Sequence, residues 1–185
     1  EVYTDANLIP TSSLPFSGSS QQASIFQSGD KNVLKYFFRQ RLTRSNVAND
    51  VFFFMVPTGS ATGVTPQLIQ DGQQTSFISP KYSVSSLANA NTEDSTPGYN
   101  VKVFKSTSLN SGSLGGGDVV SSNDYQFDYK TGVLQFESAL SSNLKVYMTA
   151  YQYVGRTLAD GVSTTGTGSF DNLDVGGNIL PRDDD

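Results

Sequence analysis

Apolar and polar residues alternate most clearly between positions 125 and 153. In Tyr125-Gln126-Phe127-Asp128-Tyr129 the aromatic residues hold one parity, while Gln126 and Asp128 hold the other. Such a period of two is that of a half-buried strand. Lys130-Thr131-Gly132 follows, then the apolar run Val133-Leu134-Gln135-Phe136. The pattern predicts a hairpin with Gly132 in the left-handed position of a short bulged turn. After a turn at Ser141-Ser142-Asn143, residues 144–153 predict the longest strand. Val146, Met148 and Ala150 share one face of it; Tyr147, Thr149, Tyr151 and Tyr153 share the other. Both faces should be covered, one by the core and the other by a second sheet or another chain.

The same period marks residues 35–43, where Tyr36, Phe38 and Leu42 share a parity and Lys35, Arg39, Arg41 and Thr43 take the alternate one. Leu34, Phe37, Phe38 and Leu42 also fit a helical stripe, but aromatic enrichment favours a strand. Turn residues at 45–50 separate it from Val51-Phe52-Phe53-Phe54-Met55-Val56, whose continuous apolar run predicts a strand buried on both faces. Tyr99 to Lys105 predicts another strand, and shorter ones fit 76–79 and 81–87. Residues 88–97 read as an exposed loop, and Leu114-Gly115-Gly116-Gly117 as a flexible break.

No long helix emerges. The pattern predicts an all-β fold, an antiparallel, jelly-roll-like β-sandwich over residues 31–155. Residues 1–30 differ, with single apolar residues scattered among Ser, Gln, Pro and Gly. Pro10 and Pro15 oppose a helix there. The segment is either a solvated arm or an extended anchoring peg. Its large apolar residues favour a peg in which Leu8, Ile9, Phe16, Ile25 and Phe26 insert into a neighbour. Residues 156–185 contain a Gly/Ser/Thr linker at 161–168 and a short alternating pattern after it.

Composition narrows the chemistry. Hydrophobic residues are 36% of the 185, below the roughly 45–50% of globular chains, so only part of the chain can form a core. There is no Cys and no His. Thiol chemistry, His-based triads and His-ligated zinc are thereby excluded. The net charge of -5 argues against nucleic acid, which needs a basic footprint. No run approaches the 18 or so apolar residues of a membrane span. Lys31, Lys35, Arg39, Arg41 and Arg44 form either a solvated strand face or a docking patch for an acidic protein partner. Leu114-Gly115-Gly116-Gly117 lacks the Lys-Ser/Thr of a phosphate loop. Asp183-Asp184-Asp185 lacks the spaced ligands of a calcium loop. Asp124, Asp128 and Glu137 surround one hairpin, but glycosidase work needs a cleft and an acid of raised pKa. Neither catalytic residues, nor a metal site, nor a cofactor is expected. Tyr147, Tyr151 and Tyr153, like Tyr125 and Tyr129, suit strand packing, a subunit interface or stacking on a sugar.

Asn123 to Phe136, followed by Val146-Tyr147-Met148-Thr149-Ala150-Tyr151, resembles a hairpin and strand of bacteriophage tail and virion proteins. Ser169-Phe170-Asp171-Asn172-Leu173-Asp174-Val175-Gly176-Gly177-Asn178-Ile179-Leu180-Pro181 resembles the start of a tail-fibre shaft, in the style of phages infecting cyanobacteria. The resemblance lies within residues 123–181 and does not reach residues 1–98. It implies a homotrimeric fibre in the virion tail, joined to tail or baseplate proteins by its N-terminal part, here residues 1–30. The shaft would begin within 156–185, and a distal region would meet a host-surface glycan. The other readings are a carbohydrate-binding or adhesive module of a surface protein, and a capsid or neck decoration protein.

Overall fold

The computed structural model describes residues 2–54, 77, 78, 82 and 98–158. Among these residues eight strands form two antiparallel sheets: β1 (Ile25–Ser28), β2 (Lys31–Arg41), β3 (Thr43–Arg44), β4 (Val51–Phe53), β5 (Lys102–Ser106), β6 (Tyr125–Asp128), β7 (Val133–Phe136) and β8 (Lys145–Tyr153). The first sheet has the order β1-β2-β8-β5 and the second β3-β4-β7-β6. The protein is an all-β sandwich. The expected linker at 161–168, the shaft-like stretch 169–181, the loop 88–97 and most of the short strands proposed at 76–79 and 81–87 lie outside the described residues.

Alternation sorts side chains between the sheets as it should. From the first sheet, Phe37, Val103, Val146, Met148 and Ala150 point inward; from the second, Phe52, Leu134 and Phe136 meet them. Phe54 bridges this core edge-to-face, with its ring 4.8 Å from Phe37 and 4.7 Å from Phe77. The expected hairpin at 125–136 forms, with Tyr125 opposite Phe136 and Asp128 opposite Val133. Gly132 has φ +72°, and its N–H donates to the Asp128 carbonyl at 2.8 Å.

Four expectations need correction. First, the boundary at 30/31 falls inside a hairpin. Ser28 pairs with Lys31, and Gly29 at φ +62° with Asp30 makes a two-residue turn of the kind that needs glycine first. Secondly, Tyr36, Phe38 and Leu42 do not share a face. A bulge at Phe38 and Arg39 places two residues opposite Thr149, with Arg39 at φ 45°. One extra residue reverses the parity downstream, so Leu42 joins the inner core while Tyr36 and Phe38 stay outside. Thirdly, the strand expected at 51–56 is not buried on both faces over its described part: Phe52 and Phe54 are buried, but Val51 and Phe53 only half so, and positions 55 and 56 lie outside the described residues. Fourthly, the glycines at 115–117 belong to an ordered turn, because Asp118 Oδ2 accepts the Gly115 N–H at 2.8 Å.

Candidate functional surfaces

The outer face of the first sheet carries most of the residues singled out from the sequence. Tyr36, Phe38, Tyr151 and Tyr153 lie on it with Leu34, and the N-terminal segment covers them. Ile9 and Leu14 are buried there; Leu8, Phe16 and Phe26 are half-buried against the same cluster. Ile25 is 44% exposed. The peg is therefore laid across its own sheet.

The tyrosines explain how. The rings of Tyr99, Tyr151 and Tyr153 supply apolar area while their hydroxyls bond to backbone that crosses or borders the face. Tyr151 Oη accepts the Phe16 N–H at 3.0 Å and donates to the Phe16 carbonyl. Tyr99 Oη donates to the Pro10 carbonyl at 2.6 Å. Tyr153 Oη accepts the Asp5 N–H at 3.2 Å and donates to the Arg156 carbonyl at 2.6 Å. Burial pushes the Tyr99, Tyr151 and Tyr153 hydroxyls above the usual phenol range, since the phenolate would lose its hydration.

The far half of this face is closed by residues 108–114. Tyr147 Oη donates to the Ser108 carbonyl at 2.6 Å, and its ring packs with Phe104 and Leu114. The Arg39 guanidinium sits 4.8 Å from the Phe38 ring and 4.9 Å from Phe104. It donates to the Leu114 carbonyl at 3.0 Å. Tyr147, Tyr151 and Tyr153, named as interface candidates, are all buried within this chain. What covers them is its own backbone rather than another subunit or a sugar.

A clasp joins the two ends of the described chain. Tyr3 bridges Thr157 antiparallel, Thr4 N–H donates to the Arg156 carbonyl at 3.0 Å, and Leu158 N–H donates to Val2 at 2.9 Å. The Tyr3 ring stacks on Tyr153 at 4.0 Å. Asp5 pairs with Lys31 at 2.8 Å, a bond that holds its carboxyl below the usual range.

The basic run at 31–44 is largely occupied. Lys31 meets Asp5, and Arg39 is wedged between rings. The Arg44 guanidinium lies 4.7 Å from the Phe52 ring and donates to four carbonyls, those of Asn49, Leu140, Ser141 and Leu144, at 2.8 to 3.1 Å. Arg41 remains exposed. The carboxylates at the β6–β7 hairpin are exposed as well. Asp128 is held below its usual pKa, chiefly by the Lys130 N–H, the opposite of what a general acid requires. Among the described residues no three Asp or Glu side chains gather as a metal site.

Two of the hollows on the described surface bear on function. One, of about 420 Å³, lies between the edge strands β5 and β6 and is lined by Tyr125, Phe127 and Tyr129 with Asn100, Lys102 and Ser122. The other, of about 530 Å³, lies where the chain crosses from β2 to β3. Sequence reasoning missed both, since each is assembled from strands distant in the chain. Searches of family models, curated proteins and solved structures found no match for this chain.

Proposed function

We propose that the chain is a structural, non-catalytic module of a bacteriophage tail fibre. It belongs at the virion-proximal end and joins the fibre to tail or baseplate proteins as a homotrimer. The observation that carries the reading is the conformation of its phage-like stretch. Residues 125–136 fold as a hairpin and lead into β8, the succession of elements that the resemblance implies. The clasp supports it too, because a module whose entering and leaving strands pair with each other can hang beside a longer chain. Attachment in this reading falls to surfaces other than the arm, whose apolar residues are largely spent on its own sheet. Light scattering after size exclusion tests it. A particle near 60 kDa, about three times the 19.9 kDa chain, is the expected result.

A second reading is favoured by the hollow between β5 and β6. Its three half-buried aromatic rings, rimmed by Asn100, Lys102 and Ser122, suit a sugar ring, which needs stacking area and hydrogen bonds together. A monomer at all concentrations up to 100 µM, combined with glycan binding that Tyr125→Ala abolishes, would move the chain from fibre to adhesive module.

A further inference from the structure

The hollow at the β2–β3 crossing has a charge unlike that of the chain. The chain carries -5, yet among the described residues this hollow is lined by Arg41, Arg44 and Lys145 and by no carboxylate. Its floor is apolar: Leu42, Phe52, Leu144 and Val146. The three cations come together through the fold. Arg41 lies opposite Tyr147 in the β2–β8 ladder, two residues from Lys145, a diagonal spacing that brings long side chains within reach. Arg44 is fixed at the rim by its four carbonyl partners, so it contributes charge while most of its donors are spent. Arg41 and Lys145 keep theirs.

We propose that this hollow is a docking site for an acidic peptide segment of an assembly partner, one that alternates carboxylate and aliphatic side chains. Charge complementarity selects the carboxylates: an anion between three like charges relieves their mutual repulsion, and the guanidinium of Arg41 can hold a carboxylate with two parallel bonds. Half-buried Leu144 selects an aliphatic neighbour, since Leu42, Phe52 and Val146 are buried beneath the hollow. The lining argues against a saccharide, because the Phe52 ring is 1% exposed and lies against the Arg44 guanidinium. Three cations in a chain of net negative charge are too few for a nucleic-acid track. β3 is a two-residue strand at the edge of its sheet, so an extended peptide can lie alongside it.

The test uses the whole chain and a fluorescein-labelled peptide alternating leucine and glutamate, read by anisotropy. Saturable binding that weakens as salt rises from 50 to 300 mM is expected, and no binding of the same peptide with glutamine for glutamate. Arg41→Glu with Lys145→Glu should weaken binding at least about tenfold. Both side chains are on the surface, and circular dichroism checks the fold. Should that variant not fold, Arg41→Gln with Lys145→Gln replaces it, with a loss of about threefold or more expected. The proposal is overturned if the glutamine peptide binds equally well or if neither folded variant loses affinity. It is overturned too if inorganic phosphate or a heparin oligosaccharide binds the hollow more tightly than the peptide.

Discussion

Replacing Tyr151 by Phe removes one oxygen and leaves the packing intact. The ring is 5% exposed and keeps its neighbours, Tyr36 at 5.0 Å and Tyr99 at 5.2 Å. What disappears is the hydroxyl that accepts the Phe16 N–H and donates to the Phe16 carbonyl. Each such bond contributes roughly 0.5–1.5 kcal/mol net, so the pair contributes about 2 kcal/mol. The loss falls on the N-terminal segment, which can lift while both sheets stay closed, since local opening needs less free energy than global unfolding. Hydrogen exchange in segments 2–24 should therefore accelerate by about 30-fold, the equivalent of 2 kcal/mol. Amides of β7 and β8 should change by less than about threefold. Mass spectrometry of peptic fragments resolves the two regions. Equal acceleration in both would show that the arm is part of one cooperative unit. Unchanged exchange around Phe16 would show that the tyrosine hydroxyl does not hold the arm at all.

Three further outcomes follow from the structure. Gly132→Ala places a Cβ at φ +72° and should destabilise by about 1–2 kcal/mol in urea titration, with an unchanged slope. Arg44→Lys replaces a planar fork by a single ammonium that cannot reach four carbonyls; a loss of about 1–2 kcal/mol is expected, with faster exchange at 45–50 and 140–144. The pH profile should fall at both ends. Asp5 has a lowered pKa when folded, so its contribution is full above the unfolded value near 4 and lost as pH drops through the lower folded value. Tyr99, Tyr125 and Tyr151 have raised values, Tyr125 about 12. The unfolded state thus releases protons first, and stability should decline above about pH 10. For the deeply buried Tyr99 and Tyr151 together, the slope approaches about 3 kcal/mol per pH unit. A flat thermal-melt profile between pH 9 and 11.5 would contradict this assignment.

Strand faces were legible wherever alternation was unbroken. Tyr125 to Tyr129 and Val146 to Tyr153 could be assigned to faces because one parity met the core. The parity of β2 failed at Arg39, because nothing in Phe38-Arg39-Gln40 announces a bulge; only pairing with Thr149 does. The β1–β2 turn was legible in Ser28-Gly29-Asp30-Lys31 and overlooked, since the surrounding Ser and Gln masked a four-residue strand. The tyrosine face was recognised as needing a cover. Which chain covers it depends on where the backbone of residues 5–16 runs, and isolated apolar residues such as Leu8 and Ile9 do not encode that path. The hollow at the β2–β3 crossing escaped for a different reason. Arg41 and Lys145 are 104 positions apart in the sequence, and only the β2–β8 register joins them.

The clasp between residues 2–4 and 156–158 has a consequence under load. Tension applied to the chain on either side of the module enters at the same end of this short antiparallel ladder. The bond between Leu158 and Val2 takes the first share, then those of Thr4 to Arg156, so the ladder opens one rung at a time instead of shearing all at once. Residues 2–24 then peel from the sheet, with each tyrosine hydroxyl yielding in turn. At roughly 3.4 Å per extended residue, that releases about 75 Å of slack before any strand of the two sheets is strained. A chain closed by such a clasp gives way by a fixed length before its sheets are loaded, and regains it when the pull ends.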